Sequence, residues 1–511
     1  MQNSKLLFVE LDGGSWEIMS PLIRKGKLPN IKGLMDRGVS SDLSSDSPLI
    51  SPKLWTSIFT GKSAKKHGIY FFGNNSRMVK CKRIWDIFNE QGLKVGVFGS
   101  LITWPPHRVN GFMIPAVFAL GTETYPAEWS FFQEIALGER GALHKSSKMP
   151  LRSLFYYVYQ LKTHGVSIRT FWHAAKYMAY EKIRRTDIEA RYWKKAILHL
   201  RISTDLFGNL LSSYNPDFST FHIHLCDGVC HRYMEYFKPE QFDGVDPRKA
   251  RKYKDIIPIS YIEADRAIGQ LLSLIEKNTV VIIASDHGFQ PLTKWKNDCE
   301  RIRPYPLRID AFKKMLGIEN VIPARFGLEV FLYFHDPTTP LKYEIASVIE
   351  SITLKETSDK VFDVRLFEKY IVVKVSDPIL KKDLKENTLV NIPNVGIHKF
   401  SDLFHRKGSG ISGIHAPKGI LIMTGPNIKA GGQLQNPCIY DLTPTMLASM
   451  GYPVAKDMEG RVLTEALTDG FLDENPVQYI DSYEDSTIRE QELEEIDYKK
   501  MEERLKSLGY L

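Results

Sequence analysis

Three short apolar runs in this chain each lead into an aspartate followed closely by glycine. Residues 6–11 lead into Asp12-Gly13-Gly14, residues 218–225 into Asp227-Gly228, and residues 280–284 into Asp286-His287-Gly288. Runs of this length read as buried strands, and ligands of open α/β sheets bind outside the carboxyl ends of such strands. Three carboxylates and an imidazole delivered to one sheet edge repel one another unless a cation sits among them. Divalent metal satisfies that need, and the mixture of carboxylate and imidazole suits zinc, with manganese as the alternative. Taken singly, each Asp-Gly is also a common turn signal, and His287 alone could be a hydrogen-bonded loop residue.

The second aspartate carries a further signal. Asp227-Gly-Val-Cys-His231 sets a carboxylate and an imidazole about one helical turn apart. Cys226 and Cys230 bracket this pair, but no matching Cys/His pair follows downstream, so they read as small buried side chains. His222 and His224 alternate along one strand and read as packing or supporting groups, not as ligands.

The nucleophile candidate is Ser51. Ser51-Pro52-Lys53-Leu54-Trp55 reads as the start of a helix, with Ser51 as N-cap and Pro52 at the first helical position. A helix N-terminus also favours a phosphate group, and a serine there beside a metal could attack it. Thr56, one turn further on, is the second candidate.

The elements that carry these residues follow from apolar periodicity. Continuous runs at 6–11, 95–98, 218–225, 280–284 and 419–423 predict buried parallel strands, and helical patterns at 84–90, 261–275 and 441–450 alternate with them. The fold class is therefore α/β, a mainly parallel sheet with helices on both faces. Residues 1–120, 203–300 and 401–475 form a discontinuous core. Residues 121–202 form a basic, aromatic, helical insertion placed as a cap. Residues 301–400 form a small α/β insertion, with a helix near 342–352 and a strand at 370–375. Residues 476–511 form a charged C-terminal tail, helical over 486–508.

Charge is concentrated in one place. Residues 140–201 hold fourteen Lys/Arg against Glu181, Asp187 and Glu189, while the whole chain carries +8. Basic residues interleaved with Tyr and Trp attract anionic organic groups and suit peripheral contact with an anionic membrane. The same segment could instead be a solvated helical hairpin whose aromatics pack on the core. Nothing resembles a nucleic-acid module, so specific nucleic-acid binding is not expected. No apolar run approaches the ~18 residues of a membrane span, and residues 6–11 are too short for a signal core, so a cytoplasmic protein is expected. Five scattered cysteines imply no disulfide framework.

In order along the chain, Asp12, Ser51-Pro-Lys-Leu-Trp-Thr-Ser-Ile-Phe-Thr60-Gly61, His67-Gly68-Ile69, Asp227-x3-His231, Asp286-His287-Gly288 and Gly413-Ile414-His415 resemble the alkaline phosphatase superfamily. Leu28-Pro29-Asn30, Tyr440-Asp441-Leu442-Thr443-Pro444-Thr445 and Met458-Glu459-Gly460 strengthen the likeness, which is nearest to the type I phosphodiesterase/nucleotide pyrophosphatase branch. It covers residues 4–125, 203–300 and 400–470 and is silent on the two insertions. The resemblance implies an alkaline phosphatase-like core and two divalent ions about 4 Å apart. One would be held by Asp12, Ser51, Asp286 and His287, and the other by Asp227, His231 and His415. It further implies attack by Ser51 on phosphorus, a phosphoserine intermediate and release by water.

The sequence departs from the family in having serine where many relatives have threonine. It also has Leu54 near the place of an asparagine that binds a phosphate oxygen, which leaves backbone N–H groups or Lys53 for that task. Ser51-Pro52-Lys53 does not supply the frame sulfatases need for formylglycine. The expected substrate is an anionic phosphate ester, whether nucleotide, sugar phosphate or lipid-linked phosphate. The competing readings are a phosphotransferase with an alcohol acceptor and a non-catalytic metal-containing binding protein.

Overall fold

The computed structural model describes residues 5–484 apart from 73, 137–150, 184–187, 243, 293–304, 306, 319–320, 327–328, 335–338, 368–369 and 406–411. The helix expected over 486–508 lies outside the described residues. The chain divides into two units. Among the described residues, the first comprises those within Met1–Val229, Asp255–Phe289 and His415–Glu495, and the second those within Cys230–Lys254 and Gln290–Ile414.

The first unit is built on seven strands: β1 (Lys5–Leu11), β2 (Gly38–Ser44), β3 (Val95–Phe98), β4 (Gly111–Ile114), β5 (Phe218–Ile223), β6 (Thr279–Ala284) and β7 (Lys418–Thr424). Their order is β2-β7-β6-β1-β5-β3-β4. At the centre, β1 pairs in parallel with both β5 and β6, so that Leu6 lies opposite Phe218 and Val280. Both faces of these strands are covered, which is why they read as unbroken apolar runs and not as alternating ones.

Two expectations are corrected here. The run at 419–423 does form a strand, but β7 is antiparallel to both β6 and β2. A continuous apolar run records burial on both faces and says nothing of direction. The run at 218–225 ends as a strand at Ile223, and Leu225 already opens the helix Leu225–Phe237. The sheet is therefore mixed, with one strand reversed.

One face of the sheet packs on the helices Ser51–Thr60 and Ile84–Glu90. Leu6, Phe8 and Val97 meet Trp55, Phe59, Trp85 and Phe88 there, all buried. Successive strand residues point to opposite faces, so Phe98 and Phe221 look the other way. On that side Phe207 of the helix Ile188–Tyr214 stacks on Phe221, with ring centroids 4.8 Å apart. The later part of this long helix thus belongs to the core, although its beginning lies in the basic segment. Two further helices of that segment, Leu151–Thr163 and Ile168–Ile183, carry exposed aromatic residues.

The second unit contains a four-stranded sheet ordered Phe362–Leu366, Tyr370–Val375, Glu329–Tyr333, Ile322–Phe326, antiparallel throughout. The helix Leu341–Glu350 and the strand Tyr370–Val375 lie where the sequence indicated. Its core gathers Phe312, Ile349, Phe362, Ile371 and Phe404.

Candidate metal centre

β1 and β6 are parallel neighbours, so the chain leaves both at the same sheet edge. Asp12 follows β1 directly and Asp286 comes two residues after β6; both are buried. Gly13 makes the turn after Asp12 with φ +74, and a Cβ there would meet the Asp227 backbone at 3.0 Å and Phe289 at 2.9 Å. Only glycine both adopts that angle cheaply and lets the two aspartate-bearing segments approach. Asp227 lies in the first turn of the helix Leu225–Phe237, where its charge suits the helix dipole.

Ser51 is the first residue of the helix Ser51–Thr60. Ile50 is the N-cap and makes no side-chain capping bond, which corrects the expected capping role of Ser51. The serine hydroxyl is directed elsewhere, with its Oγ 3.1 Å from His287 Nε2. Thr56, the second candidate, donates its hydroxyl to the Pro52 carbonyl at 2.7 Å and is turned into its own helix.

The histidines share one design. His287 Nδ1 is 3.1 Å from the Gly288 carbonyl, and His415 Nδ1 is 2.8 Å from the Leu49 carbonyl. In the second unit, His231 Nδ1 is 2.9 Å from the Gly413 carbonyl. A carbonyl oxygen only accepts, so each Nδ1 carries the proton and each Nε2 of the neutral ring presents a lone pair. His287 Nε2 faces Asp12 Oδ1 at 3.4 Å and Asp286 Oδ2 at 3.6 Å, and His415 Nε2 faces Asp227 Oδ1 at 3.3 Å.

A divalent cation between these atoms would satisfy them together. Atoms bound about 2.1 Å from a four-coordinate ion stand about 3.4 Å apart, which matches this set. Both carboxylate oxygens of Asp286 and Oδ1 of Asp12 are buried without a hydrogen-bond partner, as an ion-binding cradle requires. Asp12, Asp286 and His287 thus form a donor group able to hold a divalent ion, to which the Ser51 hydroxyl is adjacent. His231 lies in the second unit, one turn beyond Asp227 on the same helix.

Electrostatics follow from this crowding. Burial, and then the charges of Asp12 and Asp227, push the Asp286 carboxyl well above the usual carboxylate range. Burial and the facing His415 push His287 down to about 3. For Asp12, burial and Asp227 favour protonation, but His222 and His224 outweigh them and hold the carboxyl below its usual range.

Lys53 does not face outward. Its ammonium donates to Asp46 Oδ2 at 3.0 Å, the Asp46 carbonyl at 3.0 Å and the Ser47 carbonyl at 2.9 Å, bracing the turn that leads into the helix. Cys226 and Cys230 are fully buried, as small apolar side chains would be.

A family model described as type I phosphodiesterase / nucleotide pyrophosphatase matches residues 6–306, more than half of the chain. The chain belongs to this family. His415 lies beyond the matched span, on the segment leading into β7. Crystal structures of phosphonoacetate hydrolase from Sinorhizobium meliloti 1021, one with phosphonoformate and one with phosphonoacetate, are similar at 14% identity, with TM-scores of 0.42 and 0.41. They cover 86% of this chain and 94% of theirs. No curated protein matches the chain significantly. Family and donor clusters together mark a metal-dependent hydrolase of the alkaline phosphatase superfamily.

Sequence reasoning missed Glu10. It is fully buried within β1, opposite His222 in register, and its Oε2 lies 2.9 Å from His222 Nδ1. The available signal was a glutamate inside an otherwise apolar strand, two residues before Asp12 and matched by histidines two residues apart on the neighbouring strand segment.

Proposed function

We propose that this protein is a two-metal hydrolase of phosphate esters, acting on phosphodiesters through a phosphoserine on Ser51. The reading rests on one observation: the Ser51 hydroxyl lies 3.1 Å from His287 Nε2, beside buried carboxylate oxygens that a divalent cation would satisfy. In this reading Asp12, Asp286, His287 and Ser51 hold one ion, and Asp227 and His415 hold the other. Such ions, when bound, polarise the phosphoryl oxygens and steady the attacking and leaving oxygens.

The chain's own part is positional. Ser51 is fixed at the N-terminus of a helix whose N–H groups and dipole favour phosphate oxygens. The Ser51 oxygen forms a bond to phosphorus, the bond to the departing alcohol breaks, and water later cleaves the phosphoserine. Lys53 serves by bracing the turn at 46–48 that presents Ser51.

The substrate class is an anionic ester, and the helices Leu151–Thr163 and Ile168–Ile183 supply a surface for anionic lipid. Phe155 is 71% exposed, Tyr159 64%, Ile168 87% and Trp172 62%. Lys162, Arg169 and Lys176 lie among them, and Lys176 sits 5.5 Å from the Trp172 ring centroid. Contact of this kind is peripheral, and among the described residues no helix is long and apolar enough to cross a membrane.

The test is metal content measured alongside hydrolysis of bis(p-nitrophenyl) phosphate and p-nitrophenyl phosphate with added zinc or manganese. At least two ions per chain and faster cleavage of the diester are expected. Little bound metal and no cleavage of either ester would overturn the reading. Appearance of a transferred ester when an alcohol is added would convert it to a phosphotransferase.

A further inference from the structure

His222 repeats the design of the other site histidines with a stronger anchor. Its Nδ1 is held 2.9 Å from Glu10 Oε2, while the other Glu10 oxygen accepts from the Ser100 hydroxyl, which also lies 2.7 Å from Thr220 Oγ1. Glu10, Ser100 and Thr220 are fully buried, and the edge of His222 meets Trp55 at 5.6 Å between centroids. The imidazole is therefore locked, and its Nε2 is aimed at Asp12 Oδ2 from 3.3 Å. A carboxylate behind a histidine, with the far nitrogen pointing at further donors, is how metal-binding imidazoles are oriented.

A second imidazole converges on the same point. His224 Nδ1 lies 3.6 Å from Asp12 Oδ2 and 3.7 Å from Asp227 Oδ2. A proton shared between His222 and Asp12 would account for that pair alone. It would not account for His224 standing at ligand spacing from two carboxylates. Asp12 Oδ2 and Asp227 Oδ2 are also not the oxygens that face His287 and His415, which meet the Oδ1 atoms instead.

We propose a third cation site, formed by Asp12, His222 and His224 with Asp227 Oδ2 alongside, that takes zinc or a similar borderline divalent ion. Two imidazoles and carboxylate oxygen suit such ions over magnesium or calcium. The ion would share Asp12 with the first metal of the proposed catalytic pair and, like that pair, would neutralise the crowded carboxylates. This site rests on the catalytic reading only for its neighbour and would stand even if that reading failed.

The test is ion stoichiometry by mass spectrometry on the full chain, stripped with chelator and reloaded with zinc, and it needs no activity. His222→Gln and His224→Gln should each lower the count by one relative to wild type. Glu10→Gln should keep the full count at saturation but weaken one ion by about 10- to 100-fold. Asp286→Asn reports separately on the proposed catalytic pair. A count unchanged in both histidine variants would overturn the third site, whatever Asp286→Asn does. A count lowered by the histidine variants but not by Asp286→Asn would support the third site and overturn the pair. Should His222→Gln fail to fold, the half-buried His224 still decides the matter.

Discussion

The imidazoles of His287 and His415 stack with their ring centroids 3.5 Å apart and 16° between their planes. Each Nδ1 is tied to a backbone carbonyl, at Gly288 and Leu49 respectively. The closest carboxylates to their Nε2 atoms differ, Asp12 for His287 and Asp227 for His415. Residues from separate strands and from the segment before the Ser51 helix are thereby fixed around one point, and the serine hydroxyl lies at its edge. Ser51→Ala should lower kcat for the diester by several orders of magnitude while leaving the melting temperature and metal content nearly unchanged. Ser51→Thr retains a hydroxyl and should keep measurable turnover. Steady-state rates on bis(p-nitrophenyl) phosphate check both, and full activity in the alanine variant would remove Ser51 from the reaction.

Metal removal should weaken the fold as well as the chemistry. Asp12, Asp227 and Asp286 are buried together, and burial with mutual repulsion holds the Asp286 carboxyl above its usual range. Since its folded pKa is raised, that group's favourable contribution is present below the unfolded value, ~4, and is lost as pH rises through the folded one. Protein stripped with EDTA should therefore melt several degrees lower at pH 8 and regain the loss on adding zinc. Asp286→Asn removes one of the repelling charges, so its stripped form should match or exceed stripped wild type and gain less from zinc. Calorimetry of the four samples is sufficient; a melting temperature indifferent to EDTA would contradict a buried ion site.

Much of this arrangement could be read from residue types. The apolar runs before Asp12 and Asp286 become β1 and β6, and the pattern at 84–90 becomes a helix with the same bounds. What escaped depends on distance or direction. His415 is far from His287 in sequence and was approached only through resemblance, because a lone Gly-Ile-His carries no period. The reversal of β7 is invisible in an apolar run. Ser51 reads as a cap because serine before proline usually is one, and only the nearby His287 explains why its hydroxyl turns away. His222 reads as packing until Glu10 is found opposite it across a parallel register.

Acid stability should depend on a residue outside the metal cluster. His67 is fully buried; the Ile69 N–H donates to its Nδ1 at 3.1 Å, so Nε2–H is left to donate to Ser57 Oγ at 3.0 Å. Both nitrogens are satisfied in the neutral ring, and protonation would break the Ile69 bond. Burial, then the charge of Lys53, pushes its pKa down to about 3. The unfolded chain takes up that proton near pH 6.5, so the contribution is complete above ~6.5 and falls by roughly 1.4 kcal/mol per pH unit below it until pH reaches the folded value. His67→Gln should flatten the loss of urea stability between pH 6.5 and 4.5 by about one proton's worth. Equal slopes in the two proteins would assign the acid sensitivity elsewhere.

The exposed face of the helices Leu151–Thr163 and Ile168–Ile183 leads to the last prediction. Large apolar side chains seldom stand so open unless something covers them, and here basic residues accompany Phe155, Tyr159, Ile168 and Trp172. Aromatic rings enter the headgroup region while Lys and Arg meet anionic lipid, so attraction should require both. The full-length protein should cosediment with phosphatidylglycerol vesicles, much less with phosphatidylcholine vesicles, and less again as salt rises. Phe155→Glu combined with Trp172→Glu should abolish binding while hydrolysis of a soluble diester is unchanged, because neither residue belongs to the metal centre. Binding that survives the double substitution would move the contact elsewhere. A concentration-dependent dimer that disappears in the same variant would instead assign this face to a second copy of the chain.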